Sequence, residues 1–283
     1  MSLSYEVCVT KRPGVLANVP AGLDNLKWVP TSSVLIYGAN DAVLVDVPLT
    51  VSMTKEVVDW VVASGKDVKY IYITHPHGDH YFGVGMILEV FPNAKPIATK
   101  EAVERMKLEI KREKTDAAFW NTRFKGEIPP NLVLPEALDG DLFELEGQKL
   151  EIVRTGHTDT DDTTTLFVPS IGLAVTGDAV YNNVYPYLNE SGSKELRAEW
   201  RAALDKIAAL KPKAVVCGHK DPSKDDSPSA IDETREYLET LERMNNEISS
   251  VEEFYSRALE LFPGRINPGS LWGAVNTLQK EKN

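Results

Sequence analysis

The sequence predicts an α/β fold in which two β-sheets pack face to face and helices cover their outer surfaces. Short strand-like segments occur in two groups along the 283 residues, and helix-like segments follow each group. From Ser227 onward only helical patterns occur, which predicts a C-terminal helical extension. We therefore place the main domain at residues 1–224 and the extension, packed on the same domain, at residues 225–283.

The first group of strands is rich in Val, Ile and Tyr, which favour extended backbone. Strands are predicted at 5–10, 33–37, 42–47, 68–74 and 95–99. The residues Gly38-Ala39-Asn40-Asp41 predict a hairpin turn between the second and third strands, because Gly and Asn tolerate positive φ. Helices are predicted at 50–64, 83–91 and 100–114. The first of these is capped by Thr50 and ended by Gly65.

The second group of strands follows a loop at 126–140 that contains three prolines. Strands are predicted at 141–145, 149–153, 163–168, 173–176 and 214–217, with a helix at 194–210. The extension is predicted to contain helices at 228–248, 250–261 and 268–279, the last two separated by Gly264 and Pro268. We expect its large apolar side chains to pack as core, and a pocket wall is the alternative. These side chains are Phe254, Tyr255, Phe262, Leu271 and Trp272.

The composition is that of an ordinary globular chain with an acidic balance. Lys and Arg number 31 and Asp and Glu 42, so the net charge is −11 at neutral pH. This balance argues against a general nucleic-acid binder, which needs at least a local surplus of basic residues. Cys8 and Cys217 are the only cysteines, too few to form a disulfide framework or a thiolate metal site unaided.

The first residues include no basic segment followed by an apolar core, so no signal peptide is predicted. No run approaches about 18 uninterrupted apolar residues, so no membrane span is predicted either. We therefore expect a cytoplasmic protein that binds a small-molecule substrate, without nucleic-acid or membrane partners. A homodimer is compatible with the sequence.

Metal-ligating residue types are concentrated directly after the strand predicted at 68–74. His75, His77, Asp79 and His80 lie within six residues, on a turn that also contains a proline and a glycine. A buried cluster of three imidazoles without a metal would repel on protonation and leave ring nitrogens unpaired. The spacing therefore indicates a metal site.

Three further candidate ligands follow strands of the second group. They are His157, Asp178 and His219, and each has a glycine beside it that allows close approach of the backbone. Every histidine of the chain thus follows a predicted strand.

The string Thr74-His75-Pro76-His77-Gly78-Asp79-His80 resembles the His-x-His-x-Asp-His signature of the metallo-β-lactamase superfamily. The other three candidates fall in the expected order, and the resemblance covers roughly residues 30–222. It implies an αββα sandwich, the metallo-β-lactamase fold, with the metals at one edge of the two sheets. It also implies that His75, His77 and His157 bind a first metal, that Asp79, His80 and His219 bind a second, and that Asp178 bridges the two.

Nitrogen and oxygen ligands of this kind suit two Zn²⁺ ions, with iron or manganese as substitutes. His77 argues against the redox di-iron branch of the superfamily, which typically has an acidic residue there. Two metals about 3.5–4 Å apart can share a hydroxide that is available at neutral pH. Our hypothesis is that this hydroxide attacks an ester-like or amide-like carbonyl, with Asp79 orienting it and passing a proton to the leaving group.

Two residues indicate which branch of the superfamily the chain resembles most. Dedicated β-lactamases usually have Cys or Ser where this chain has Asp178, so a lactone or lactam hydrolase is favoured. Lactone hydrolases of the superfamily place a tyrosine at the offset of Tyr181, where it can hydrogen-bond the developing oxyanion. The alternative for Tyr181 is an aromatic ring that simply packs beside the site.

The segment after His157 departs from the family pattern. Many relatives have Pro-Gly there, whereas this chain has Thr158-Asp159-Thr160-Asp161-Asp162. These carboxylates are predicted either to orient the ligand imidazoles or to form a solvated acidic loop. In both cases the negative charge disfavours a multiply anionic substrate.

Other functions remain open from the sequence. A thioester hydrolase similar to hydroxyacylglutathione hydrolase would need basic residues to hold glutathione carboxylates. Lys220, Lys224, Arg235 and Arg265 are candidates, but they form no clear cluster in the sequence. A single-iron sulfur dioxygenase uses a similar set of motifs. A non-enzymatic scaffold is disfavoured, because all expected ligands are present.

Overall fold

Six strands form the first sheet of the computed structural model, which describes residues 2–11, 29–115 and 118–281. They are β1 Ser4–Thr10, β2 Thr31–Tyr37, β3 Asp41–Val45, β4 Asp67–Tyr72, β5 Lys95–Ala98 and β6 Glu136–Ala137. They lie in the order β1-β2-β3-β4-β5-β6. The first three pair antiparallel, and β3 to β6 pair parallel.

Five of the remaining strands form a second sheet, and two short ones pair at its end. They are β7 Leu142–Leu145, β8 Gln148–Gly156, β9 Thr163–Val168, β10 Leu173–Val175, β11 Tyr181–Asn182, β12 Ala214–Val216 and β13 His219–Lys220. The sheet order is β12-β10-β9-β8-β7, and β11 pairs parallel with β13. Because β10 and β12 also run parallel, the segments that leave them start from the same edge.

The helices follow the strands as the sequence predicts. They are α1 Val51–Ala63, α2 Val84–Val90, α3 Lys100–Glu113, α4 Trp120–Arg123, α5 Lys194–Ala209, α6 Ser229–Glu247, α7 Val251–Leu261 and α8 Pro268–Lys280. The predicted cap of α1 is confirmed, since the Thr50 side chain accepts a hydrogen bond from the Met53 N–H. The short helix α4 was not predicted. No helix of the described ranges is long and apolar enough to span a membrane.

Three hydrophobic clusters establish the layer order helix, sheet, sheet, helix. Along β2, Val34 and Ile36 point into the cluster between the two sheets, where Leu150 and Leu166 meet them. Leu35, between them, points to the opposite cluster under α1 and α3. This alternation is the period of two that a strand imposes on its side chains. The predicted αββα arrangement is confirmed.

The third cluster joins the C-terminal helices to the second sheet. Phe254 and Leu271 are fully buried in the same cluster as Ala174 of β10, Val215 of β12 and Trp200 of α5. Core packing, the predicted role of the extension's large apolar residues, is therefore observed for these two. The boundary at residue 224 stays a prediction, and residues 12–28 of the proposed main domain lie outside the described residues.

Two local predictions need correction. The hairpin between β2 and β3 forms, but Gly38 and Asn40 do not adopt positive φ. Instead the Glu146 carboxylate, from the β7–β8 turn, accepts hydrogen bonds from the N–H groups of Ala39, Asn40 and Asp41. The segment 126–140 is not entirely a loop, because it contributes the two residues of β6 to the first sheet.

Candidate metal centre

Four chain segments converge where strands of the two sheets end. The loop after β4 carries the histidine-rich string, including a 3₁₀ turn at Gly78–His80. The loop after β8 carries residues 157–162. A second 3₁₀ turn, Gly177–Ala179, follows β10 and holds Asp178, while His219 begins β13. These strand ends meet at one edge of the two sheets, as the resemblance to the superfamily implies.

Two glycines make this convergence sterically possible. A Cβ on Gly218 would clash with Asp178 Oδ1, and one on Gly177 would lie 2.5 Å from Thr74 Oγ1. Gly177 also has a φ of +51°, which side chains rarely adopt. Glycine is therefore required at both positions for the segments to approach this closely.

Asp79, His80 and His219 form one group of potential ligands around Asp178. His80 Nε2 lies 3.3 Å from Asp178 Oδ1, and His219 Nε2 lies 3.1 Å from Asp178 Oδ2. His219 Nε2 also lies 3.5 Å from Asp79 Oδ2. All four residues are at least 95 % buried.

His75, His77 and Asp159 form the neighbouring group. Asp159 Oδ2 lies 2.8 Å from His77 Nδ1 and 3.6 Å from His75 Nε2. The rings of His75 and His80 are 4.1 Å apart, so the two groups adjoin. Asp159 was expected only to orient ligands or to be solvated, yet its carboxylate enters the site and is completely buried.

His157 does not belong to either group of ligand atoms. Its Nδ1 donates to Asp161 Oδ1 at 2.6 Å, and its Nε2 lies 3.0 Å from Ser191 Oγ. The other six predicted ligands, including Asp178, lie together. The assignment of His157 as a ligand stays a prediction.

Each inward-facing imidazole is held from outside by a hydrogen bond on its other nitrogen. Thr74 Oγ1 donates to Asp46 Oδ2 and so receives the N–H of His75 Nδ1, which leaves His75 Nε2 as a free lone pair. His80 Nδ1 donates to Asp46 as well, and His219 Nδ1 donates to the Pro30 carbonyl. Such outer partners fix the tautomer and the direction of metal-binding histidines.

Asp46 and Glu190 are site residues that the sequence reasoning missed. Asp46 follows β3 directly, and its two oxygens accept from Thr74 N, Thr74 Oγ1 and His80 Nδ1. An acidic residue at the end of an apolar strand was the available signal. Glu190 Oε1 lies 3.0 Å from His77 Nε2, but its position in an irregular segment gave no signal.

The pKa values show that the site attracts positive charge. Burial alone would lower the pKa of His80, but the carboxylates of Asp178 and Asp46 outweigh it and raise that pKa to about 10. Burial would raise the pKa of Asp178, yet His219 and His80 hold it well below its ordinary value. The carboxylates that keep a proton on His80 would equally hold a cation.

Four buried polar atoms at the centre of the site have no hydrogen-bond partner within the described ranges. They are His75 Nε2, His80 Nε2, Asp159 Oδ2 and Asp178 Oδ1. Buried polar atoms are rarely left unsatisfied in folded proteins. Their convergence, together with an all-nitrogen-and-oxygen donor set, fits divalent metal ions of the zinc, iron and manganese group.

Tyr181 reaches the site through Asp178. Its ring is buried, and its hydroxyl donates to Asp178 Oδ2 at 2.6 Å. Burial, with the charge of Asp178 added, raises the pKa of Tyr181 well above its ordinary value. The residue is therefore a neutral phenol at physiological pH and a permanent donor to this carboxylate.

The aspartates of the acidic loop at 158–162 divide between the two predicted roles, which are contact with the ligand imidazoles and exposure to solvent. Asp159 points inward, whereas Asp161 and Asp162 pair with Arg105 of α3 at the surface. Asp161 also holds His157, so it contacts a histidine as well as solvent. The loop is thus anchored on one side while it presents a carboxylate to the site on the other.

Comparisons with known proteins agree with this architecture. The family model described as the metallo-beta-lactamase superfamily matches residues 26–219. A Bacillus subtilis (strain 168) protein, described as uncharacterized protein YobT, is 25% identical over 203 residues, covering 67% of this chain and 83% of that protein.

Solved structures support the same fold. A metallo-beta-lactamase family protein from Thermus thermophilus superposes with a TM-score of 0.61 at 21% identity, covering 98% of this chain and 94% of its own. A metallo-beta-lactamase from Pontibacter korlensis gives a TM-score of 0.60 at 18% identity, covering 84% of this chain and 99% of its own. At such identities the likeness concerns the fold.

Proposed function

Because the chain belongs to the metallo-β-lactamase superfamily, we propose that it is a dinuclear metal hydrolase that opens a cyclic ester or amide, a lactone or lactam, of a small molecule. Zinc is the proposed metal, with iron or manganese as substitutes. The observation that carries the proposal is the convergence of unsatisfied, buried imidazole and carboxylate atoms on two adjoining positions. The cytoplasmic location and the homodimer stay predictions.

The chain's own residues would hold two cations side by side. Asp79, His80 and His219 would hold one, and His75 and His77 the other with a third ligand from the loop after β8. Asp178, whose oxygens lie 3.3 Å from His80 Nε2 and 3.1 Å from His219 Nε2, is proposed to bridge the two. When bound, such a pair of cations lowers the pKa of water and acts as a Lewis acid on a carbonyl oxygen.

Two side chains are proposed to act in the reaction itself. The Asp79 carboxylate is buried beside His219 and can orient the attacking water and pass its proton to the leaving group. Tyr181 holds Asp178 through its hydroxyl and keeps that carboxylate in place. A direct contact of Tyr181 with the developing oxyanion is the second role that we propose for it.

The residue type at position 178 favours a lactone or lactam hydrolase over a dedicated β-lactamase. The chain has a carboxylate, Asp178, where those enzymes usually have Cys or Ser. Cys217 is nearby in sequence, but burial raises the pKa of its thiol, so it is not poised to act as a thiolate ligand. Its side chain belongs to the hydrophobic cluster of the second sheet.

A thioesterase of the hydroxyacylglutathione hydrolase type is the rival within the superfamily. Three of its four candidate basic residues already have partners in the fold. Lys220 pairs with Asp226, Arg235 pairs with Asp205, and Arg265 donates to the Val184 and Glu233 carbonyls. These contacts do not gather the three cations into one glutathione-binding cluster. A single-iron sulfur dioxygenase, from another class, would be distinguished by bound iron and oxygen consumption.

The test is metal analysis of the purified protein combined with a small substrate panel. The panel contains an acyl lactone, an aryl lactam, a β-lactam, S-lactoylglutathione and bis-p-nitrophenyl phosphate. We expect two divalent ions per chain and turnover of the lactone or the aryl lactam. Inactivity on both, with rapid turnover of another member, would overturn the proposed substrate class. Iron with oxygen uptake would replace the hydrolase with the dioxygenase.

A further inference from the structure

We propose that Glu190 is a positioning residue for the metal ligand His77, and that the C-terminal helix α8 holds Glu190 in place. The proposal rests on the metal centre described under the proposed function. Glu190 would not bind the metal itself but would act through the imidazole of His77. The packing of α8 would then help to set how tightly the position at His77 binds a divalent cation.

The Glu190 carboxylate contacts one ring nitrogen of His77, and the other ring nitrogen faces the ligand group. Glu190 Oε1 lies 3.0 Å from His77 Nε2. His77 Nδ1 lies 2.8 Å from Asp159 Oδ2, in the group that also contains His75. Because an ionised carboxylate only accepts hydrogen bonds, Glu190 keeps the imidazole proton on Nε2 and leaves the Nδ1 lone pair for a metal.

Both oxygens of the Glu190 carboxylate have partners, so its direction is fixed. While Oε1 contacts His77, Oε2 accepts a 2.7 Å hydrogen bond from Thr160 Oγ1 in the loop after β8. The side chains of His77 and Glu190 are 18 % and 45 % exposed, and ion pairs that water reaches contribute little to stability. We therefore expect the contact to direct the imidazole rather than to stabilise the fold.

Helix α8 packs against the chain on both sides of Glu190. A Cβ on Gly273 of α8 would lie 2.8 Å from Asn189 Oδ1, and a Cβ on Gly192 would lie 2.9 Å from Thr277 Cγ2. Both distances are shorter than ordinary van der Waals contacts, so the chain and the helix lie very close at these two points. A shift of α8 would therefore move the backbone that carries Glu190.

The apolar core connects the same backbone to α8. Leu188 is fully buried in the cluster that contains Leu271 and Leu278 of α8. The Ser191 N–H donates to the Leu188 carbonyl at 2.9 Å, which closes a turn with Glu190 inside it. Because close-packed interiors transmit displacements, the position of this turn depends on the helix.

The direct test is NMR of the Zn²⁺-loaded protein with isotope-labelled histidines. The Nε2 proton of His77 is assigned through the Tyr187 ring, whose centroid lies 5.6 Å from that of the His77 ring. In wild type we expect a hydrogen-bonded proton that exchanges slowly with water, and in Glu190→Ala the loss of this signal to fast exchange. A fast-exchanging proton in wild type would overturn the proposal without any variant.

Metal affinity, measured by competition with a chromogenic chelator, is the second readout. Glu190→Ala should weaken one of the two positions by about 10–100-fold, and Glu190→Gln, which keeps an acceptor oxygen, should recover part of the loss. Glu199→Gln, at an exposed position of α5, is the matched control and should bind as wild type does. Wild-type affinity in Glu190→Ala would contradict this proposal alone. Wild-type protein that binds no divalent ion would contradict the proposed function as well.

A pair of substitutions tests the connection to α8. Gly192→Ala places a methyl group against Thr277 and should weaken the same metal position. The double variant with Thr277→Ala should recover the affinity, because the obstructing Cγ2 is gone and the other neighbour, Glu281, is exposed and can turn away. Thr277→Ala alone should bind as wild type does. An unchanged affinity in Gly192→Ala, or a loss that Thr277→Ala does not restore, would overturn the role of α8.

Discussion

The hydroxyl of Tyr181 donates a 2.6 Å hydrogen bond to Asp178 Oδ2, the same oxygen that lies 3.1 Å from His219 Nε2. The phenol and the imidazole thus converge on one carboxylate oxygen, and they leave Asp178 Oδ1 free to face His80. Tyr181 is therefore connected to the proposed metal centre through Asp178.

Replacing Tyr181 by Phe removes this hydrogen bond and leaves the ring in place. A hydrogen bond to a charged group contributes about 1.5–3 kcal/mol, so we expect kcat to fall by about 10–100-fold. Metal content should stay at the wild-type value, because Tyr181 is not a ligand. Steady-state kinetics with metal analysis measures both.

The matched control for this change is Tyr185→Phe. The Tyr185 hydroxyl donates to the Phe262 carbonyl and not to the metal centre, so kcat should change little. A wild-type kcat in the Tyr181→Phe variant would show that the Tyr181 hydroxyl has no role in the reaction.

A substitution of Asp46 tests the role of the residues that hold the ligand imidazoles from outside. Asp46→Asn replaces the carboxylate that holds both His80 and Thr74, so His80 Nδ1 loses its charged partner. We expect divalent-metal affinity to fall by about 10–100-fold. Competition with a chromogenic chelator measures it. Asp41→Asn, at the other end of β3, serves as the control, because the Asp41 carboxylate pairs with Lys69 at the surface. Equal affinities in the two variants would show that Asp46 does not organise the site.

Glu146 tests the electrostatics of the β2–β3 turn. Hydrogen bonds from the backbone N–H groups of Asn40, Asp41 and Ala39 lower its pKa to about 2, from an ordinary value of 4.5. Because the folded-state pKa is depressed, the stabilisation is fully present above about pH 4.5 and is lost as pH falls toward 2. Glu146→Gln should therefore lower the urea midpoint at pH 7, and its difference from wild type should shrink as pH falls.

Glu144→Gln, an exposed change in the same hairpin, is the control for the urea series. A difference between Glu146→Gln and wild type that stays constant from pH 7 to pH 3 would contradict the role of the ionised carboxylate.

Phe254 tests whether the C-terminal helices belong to the same cooperative unit as the sandwich. The side chain is fully buried in the cluster that also contains Trp200 and Val215. Phe254→Ala should lower the free energy of unfolding by about 3–5 kcal/mol, in a single transition. Leu261→Ala, at an exposed position of the same helix, should change it by less than about 0.5 kcal/mol. Two separate transitions would indicate an independently folding extension.

The sequence sufficed for ten of the thirteen described strands, and the resemblance to the superfamily implied that the strand ends with the metal-ligating residues meet. The continuous apolar run Val34, Leu35 and Ile36 is typical of a strand that is buried on both faces. His75 and His219 follow such strands directly. Local patterns decide the individual strands, so these could be predicted without knowledge of the fold.

Features set by contacts between distant residues could not be predicted. The inward direction of Asp159 is one example, because Arg105, which pairs with Asp161 and Asp162 of the same loop, lies far away in sequence. In the same way, the hairpin turn does not have the expected positive φ values. Its N–H groups instead donate hydrogen bonds to Glu146, which lies in a turn of the other sheet. A single sequence contains these residues, but it does not show that they lie close together in the fold.

The most direct measurement is turnover during metal removal and return, in wild type and in two ligand variants. Chelation should abolish hydrolysis of the lactone or lactam, and stoichiometric Zn²⁺ should restore it. His75→Ala and Asp178→Ala should lose metal and hydrolysis together, because each removes a buried ligand from one of the adjoining positions. Turnover that survives complete removal of the metal would contradict the proposed mechanism.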